Sequence, residues 1–223
     1  MESVFEKYSD SIVRCEYNNY LPISKLNLNN VNKRTVFKID EGDRFLLVKN
    51  AKYDIYGKYI HKLDGQNYGA NANVRLIDNF VAHLFSHIEV KKHNKLLDEI
   101  EYPGQASTVK GTVSFSLDNN GPTINSGFQS RFTGGGNFQA VDVKVPIYRG
   151  GFEITFTRNN DNDALYKWAV KKNDGTLDES TKPYDGKIVI EELLIRIPII
   201  EYDDIAKVQL INELKNIIST KSI

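Results

Sequence analysis

The chain has 223 residues, 40% of them hydrophobic, enough for one β domain with a real core. Lysine and arginine together number 29, as do aspartate and glutamate, so the formal net charge is zero and no overall pull toward nucleic acid or a membrane surface follows. The single Cys15 excludes an intrachain disulfide and a cysteine-based zinc cluster. No apolar run approaches the roughly 20 residues of a membrane span. Glu2, Glu6, Lys7 and Asp10 interrupt any signal-peptide core, so secretion by that route is not expected.

In chain order, Val4, Phe5, Tyr8, Ile12 and Val13 fall near helical spacing and predict a short helix, ended by Asn18-Asn19. Residues 23–32 are rich in Asn and read as irregular. Thr35 to Ile39 predicts a strand, closed by the turn Asp40-Glu41-Gly42-Asp43. A strand follows over Phe45 to Lys49, then a long or broken one through Tyr53, Ile55, Tyr59 and His61. Residues 64–73 read as a loop.

The stretch 80–115 organises the rest. It predicts strand, tight polar turn, strand, break and short helix. Ile88 and Val90 lead into Lys91-Lys92-His93-Asn94-Lys95, and the chain returns through Leu96, Leu97 and Ile100, a hairpin signal. Pro103-Gly104 stops the second strand, because Pro donates no ladder hydrogen bond and Gly permits a sharp turn. A helix follows over Gln105 to Phe115.

Residues 117–137 carry Asn119-Asn120-Gly121-Pro122 and three consecutive glycines, a long connection. Val141, Val143, Val145 and Ile147 alternate with polar neighbours, as do Phe152, Ile154 and Phe156; both predict half-buried strands. Leu165 to Val170 predicts another strand, carrying Trp168. A polar loop spans 171–186. Val189, Leu193, Ile195, Ile197 and Ile199 then share one face of a long strand. Many short strands with Gly-rich turns predict an all-β fold, an antiparallel sandwich. Asp203-Asp204 can cap a final helix, whose Val208, Leu210, Ile211, Leu214, Ile217 and Ile218 form a broad apolar face. That face packs either on its own sandwich or on another subunit or domain. Val208, Ile211, Leu214 and Ile218 are the candidate subunit-contact residues.

Three segments carry a family resemblance: Asn79–Val90 with Leu96–Gly104 and Ser107–Gly111, then Phe152–Tyr166, then Ile188–Lys207. In this order they resemble the double jelly-roll major capsid proteins of Polinton and adintovirus elements, and their copies in animal genomes. The second segment is similar to a family strand ending in Thr-Arg and an Asn/Asp-rich turn. The third is similar to the end of the first jelly roll and the helix that links it to the second. The resemblance covers about residues 15–215. It implies an antiparallel jelly-roll β-sandwich with short helices and a C-terminal amphipathic helix. It divides the chain into an N-terminal arm (1–20), one jelly-roll domain (21–202) and a linker-like helix (203–223). Two departures stand out. The second jelly roll is absent, so the expectation is a truncated copy, a fragment or a single-roll relative. Arg196-Ile-Pro198 also stands where the family is expected to have an aromatic-Lys-x-Pro pattern.

Catalytic readings fare poorly. His83 and His87, taken as strand residues, would share a face but lie about 13 Å apart, and no third ligand has a recognised spacing. Asp40-Glu41-Gly42-Asp43 lacks the calcium-loop pattern. Gly134-Gly135-Gly136 lacks the Lys-Ser/Thr of a phosphate loop, and no Gly-x-Ser-x-Gly elbow occurs. Cys15 has no partner motif. Glu191 and Glu192, adjacent in a strand, point to opposite faces. The Lys91–Lys95 tip lacks an aromatic platform for nucleic acid. No catalytic residue, metal ligand or cofactor is expected.

Three function classes remain in view. The first is a structural capsid-type subunit, acting through contacts with other copies or with a second jelly-roll domain. It would reside in a virion or inside the cell, with no nucleic-acid site and no membrane association. Loops 64–79, 117–137 and 171–186 are its expected contact positions. The second is a jelly-roll binding module for a carbohydrate or other small ligand, or a repurposed relic that no longer assembles. A binding module needs Tyr53, Tyr56, Tyr59, Tyr68, Tyr148 and Trp168 on an exposed groove. The third is a cupin-type enzyme, which four histidines without the usual spacing argue against.

Overall fold

A computed structural model describes residues 9–23, 28–42, 44–68, 73–114, 151–178 and 186–220, with side chains outside residues 9, 49, 111–114 and 214–220. Among these residues ten strands run in chain order. They are β1 (Ile12–Tyr20), β2 (Arg34–Ile39), β3 (Phe45–Leu46), β4 (Lys52–His61), β5 (Val74–Leu76), β6 (Phe85–Lys92), β7 (Lys95–Glu101), β8 (Phe152–Arg158), β9 (Leu165–Lys167) and β10 (Gly186–Tyr202). Helices α1 (Phe80–His83), α2 (Pro103–Ser114) and α3 (Asp204–Thr220) complete the set, with 3-10 turns at Ser9–Ser11, Val48–Asn50 and Asp161–Ala164.

The long β10 is the spine of the first sheet. Ile195 pairs with Tyr20 of β1 and Tyr53 of β4, so β1 and β4 lie on opposite edges of β10. Ile199 pairs with Glu16 of β1 and Leu46 of β3, so β3 continues the edge that β4 begins. The second sheet has the order β2-β8-β6-β7, and β5 pairs with β9 in a two-stranded ribbon. Every pairing is antiparallel.

The two large sheets face each other across one core. On β2, Thr35, Phe37 and Ile39 are buried while Arg34 and Lys38 are exposed, the period-2 pattern of a strand with one wet face. On β8, Phe152, Ile154 and Phe156 face the same core. From the opposite sheet β10 contributes Ile188, Ile190, Leu193, Ile195, Ile197 and Ile199. A smaller cluster lies at the end of β10, where Phe45, Ile200 and Tyr202 meet Ala206 and Leu210 of α3. That cluster explains why Ile197 to Ile200 is buried without alternation: the core lies on one face and α3 covers the end of the other.

Two sequence expectations on β10 part here. Leu193, Ile195, Ile197 and Ile199 share the buried face, but Val189 is only half-buried. A bulge between Ile190 and Glu192 inserts one residue, which flips the parity so that Ile188 and Ile190 take the inward positions. Across from the bulge, the Asn29 side chain donates to the Ile190 carbonyl (2.9 Å) and accepts from its N–H (2.7 Å). One amide thus stands in for the ladder partner that β1, ending at Tyr20, does not reach.

Other expectations are corrected. Ile12 and Val13 lie in β1, not in a helix; pairing with β10 overrides a local apolar spacing. The strand expected over Phe45–Lys49 is only Phe45–Leu46 before a 3-10 turn. Leu165–Val170 is shortened to Leu165–Lys167, and Trp168 follows it. Phe80–His83 is helix rather than strand. The expected hairpin stands, with His93 and Asn94 at φ 48° and 62°, the doubly positive turn that suits the twist of flanking strands. Pro103 opens α2 as well as ending β7, because a first-turn position needs no N–H. The strand expected over 141–147 and the connection 117–137 lie outside the described residues.

Candidate functional site

A polar junction sits where α1, α2, β8 and β10 meet. Arg158, at the end of β8, is 2% exposed. It donates to the Leu84 carbonyl (2.8 Å) and the Ile188 carbonyl (3.4 Å), and it pairs with Asp161. Asn159 adds an N–H to the Leu84 carbonyl (2.8 Å) and a side-chain N–H to the His83 carbonyl (3.2 Å). These two residues therefore satisfy carbonyls at the C-terminal end of α1. Burial pushes the Arg158 pKa down and the Asp161 pKa up. Each charge is costly to bury, and each offsets the other.

The α1–α2 contact is also polar. Asn79, itself in the left-handed region at φ 58°, donates from Nδ2 to Ser107 Oγ (2.5 Å) and Thr108 Oγ1 (3.2 Å). Ser107 donates its own proton to the Pro103 carbonyl (2.5 Å), so it is not poised as a nucleophile. Thr108 Oγ1 accepts from Asn79 and lies 3.2 Å from His83 Nε2, a hydrogen bond whose direction follows the imidazole tautomer. Burial holds the His83 pKa down, with Asp163 opposing it. A neutral imidazole in this place fastens α2 to α1. His83 ends a helix while His87 lies in β6, so the expected common strand face does not exist.

The outer face of the second sheet is a charged lattice. Across β2, β8, β6 and β7 one rung reads Arg34, Thr157, His87, Glu101; the next reads Val36, Thr155, Glu89, Glu99. Glu89 is 6% exposed and accepts from Arg34 (3.1 Å) and Lys91, and these partners offset the like charge of Glu99 opposite it. The Lys91 hydrogen bond, with Arg34 and His87 assisting, holds the Glu89 pKa below its ordinary value. The sign follows: Glu89 stabilises the fold above its unfolded pKa near 4.5, and the gain is lost as pH falls through the depressed folded value.

A cleft of about 400 Å³ opens beside the junction, lined in part by Asn29, Lys62, Asn160, Asp161, Asn162 and Lys187. Its carboxylate, Asp161, is already committed to Arg158. Among the described residues no group of three His, Cys, Asp or Glu side chains is placed to hold a metal ion. Also among them, no helix is long and apolar enough to cross a membrane.

The aromatic residues a binding groove would need are scattered. Tyr53, Tyr59 and Tyr68 pack against the core, and burial pushes the Tyr53 phenol up to about 12. Tyr56 is exposed on β4, Trp168 stacks on Tyr166, and Tyr148 lies outside the described residues. The candidate contact residues of α3 also divide. Val208 is 58% exposed beside Ile205 at 75%, whereas Ile211 packs against the small cluster. The side chains of Leu214 and Ile218 lie outside the described residues. Leu210 and Ala206 hold α3 to its own sandwich. The Arg158 clasp was not foreseen; its only sequence signal is an Arg closing a strand just before an Asn/Asp-rich turn.

No protein-family model and no curated protein matches this sequence. Solved structures do. PBCV-1 VP54, fitted into a cryo-EM reconstruction of the virophage Sputnik, aligns over 88% of this chain and 44% of its own, at 7% identity and a TM-score of 0.51. The fold is a jelly roll. Faustovirus major capsid protein aligns over 87% of this chain and 56% of its own, at 11% identity and a TM-score of 0.43. Mavirus major capsid protein aligns over 83% and 46%, at 9% identity and 0.47. The chain therefore spans about half the length of these proteins. At 7% identity the likeness to PBCV-1 VP54 speaks for the fold alone.

Proposed function

We propose that this chain is a structural subunit of the capsid type, one jelly roll that works by burying surface against other copies or a second jelly-roll domain, without catalysis. The three ordered motifs support placing it with the Polinton and adintovirus capsid proteins, or with a genomic copy of one, in a virion or inside the cell. The same reading divides the chain into an N-terminal arm (1–20), a jelly-roll body (21–202) and a linking helix (203–223). β1 ties part of that arm into the sandwich through its pairing with β10.

The observation that carries the reading is α3. It lays Ala206 and Leu210 on its own sandwich and presents Ile205 and Val208 outward. Two large apolar side chains, one turn apart on an exposed helix face, are what a neighbouring subunit would cover. The mechanism is geometric: a rigid sandwich holds this face in place, and burying it drives association. Paired substitution of Ile205→Glu and Val208→Glu tests this. Sedimentation should show self-association at least tenfold weaker than in the unmodified chain, with the thermal midpoint unchanged. Equal association in both would remove α3 from the contact.

A further inference from the structure

The neutral net charge hides a segregation. The β5–β9 ribbon and the hairpin that follows carry Arg75, Lys167, Lys171 and Lys172 against Asp174 and Asp178. Arg75 and Tyr166 are directly paired across the ribbon, and Trp168 follows two residues later. These three side chains stack in order: the Arg75 guanidinium lies 5.3 Å from the Trp168 ring, and Tyr166 lies 5.8 Å from Trp168 at an interplanar angle of 24°. Tyr166 remains 58% exposed. Trp, Tyr and Arg at an exposed site are the residue types that dominate protein contacts, because they bury much area with few rotatable bonds.

The edge strand β7 has the opposite character. All seven of its residues are exposed, and it stands last in its sheet among the described residues. It carries Asp98, Glu99 and Glu101 against Lys95, with Leu96, Leu97 and Ile100 between them and the exposed Tyr102 at its end. An edge of this length attracts a partner unless charge forbids it. Two β7 edges laid antiparallel over their full length would set Asp98 against Asp98 at the centre, an unfavourable pair, although Lys95 would meet Glu101 at each end. A basic, aromatic face has no such conflict.

We propose that the β5–β9 ribbon of one copy, led by Arg75, Tyr166 and Trp168, docks on the β7 edge of a second copy. The contact is head-to-tail: each copy uses a different face, so it propagates into a ring or a lattice rather than closing a two-fold pair. It rests on the reading of the chain as an assembling subunit and names two of the faces that subunit would use. Opposite charge steers the encounter and fixes orientation, while the aromatic and leucine side chains exclude water.

Charge reversal tests it. One variant carries Arg75→Glu, Lys171→Glu and Lys172→Glu; the other carries Asp98→Lys and Glu101→Lys. Glu99 is left alone because it faces His87 (3.5 Å). At low salt, sedimentation should show each variant associating at least tenfold more weakly than the unmodified chain. An equimolar mixture of the two should recover association to within about threefold, because each altered face then meets its complement. Should the triple reversal disturb the ribbon, seen as a lowered thermal midpoint, Lys171→Gln with Lys172→Gln reports the same loss at about threefold. If the unmodified chain associates and the variants do so equally well, or the mixture recovers nothing, this pairing of faces is wrong and the assembly reading stands. A chain that is monomeric throughout overturns both.

Discussion

Replacing Arg158 with alanine should cost about 3–5 kcal/mol of folding stability, read as a lowered urea midpoint with little change in slope. The side chain is almost wholly enclosed and serves three elements at once: α1 through Leu84, β10 through Ile188, and the turn after β8 through Asp161. Its removal takes one donor from the Leu84 carbonyl, which keeps the Asn159 N–H, and one from the Ile188 carbonyl, and it strips Asp161 of its guanidinium partner. The Asp161 side chain is only 16% exposed, so water cannot fully replace the guanidinium. Unpaired groups, rather than the worth of the ion pair itself, set the size of the loss. A double substitution, Arg158→Ala with Asp161→Ala, should therefore cost clearly less than the sum of the two single changes. Additive losses would show that the pair does not act as a unit.

Phe156→Ala should be as damaging, at about 3–5 kcal/mol, for a different reason. Its ring is the meeting point of both sheets. It packs edge-on against Phe37 (5.7 Å) and Tyr53 (5.6 Å), and at a tilt against Phe85 (4.9 Å). Those neighbours come from β2, β4 and β6, so no single strand can shift to refill the space. The cost has a transfer part and a cavity part, and rigid walls keep the cavity open. Phe156→Leu, which retains most of the volume, should lose less than half as much. A chemical-denaturation series on the two variants checks the ordering; equal losses would mean that packing around this ring is loose.

Much of this fold was legible in the residues, for identifiable reasons. Strands β2, β8 and most of β10 declare themselves because one face is wet and the other dry, so hydrophobicity alternates. The β6–β7 hairpin was legible because a polar Asn-containing tip separates two β-prone runs. What failed were features set by partners distant in sequence. β1 reads locally as a helix and becomes a strand because β10 offers a ladder. The bulge at Glu191 is invisible to a count that assumes an unbroken period of two, and it misplaces Val189. α1 is a single turn whose end carbonyls are satisfied by Arg158 and Asn159, more than 70 residues later. No local pattern announces such a donor. On α3, periodicity found the apolar residues but not which of them face home: Leu210 turns inward and Val208 outward.

The most direct test of the structural-subunit reading is the molar mass of the purified chain in solution, by light scattering across a range of concentrations and salt. The account predicts a mass that climbs with concentration to a trimer, hexamer or larger species, and a fall as salt rises marks the share held by the ribbon–β7 charges. A chain that stays monomeric at every concentration and every salt would contradict it.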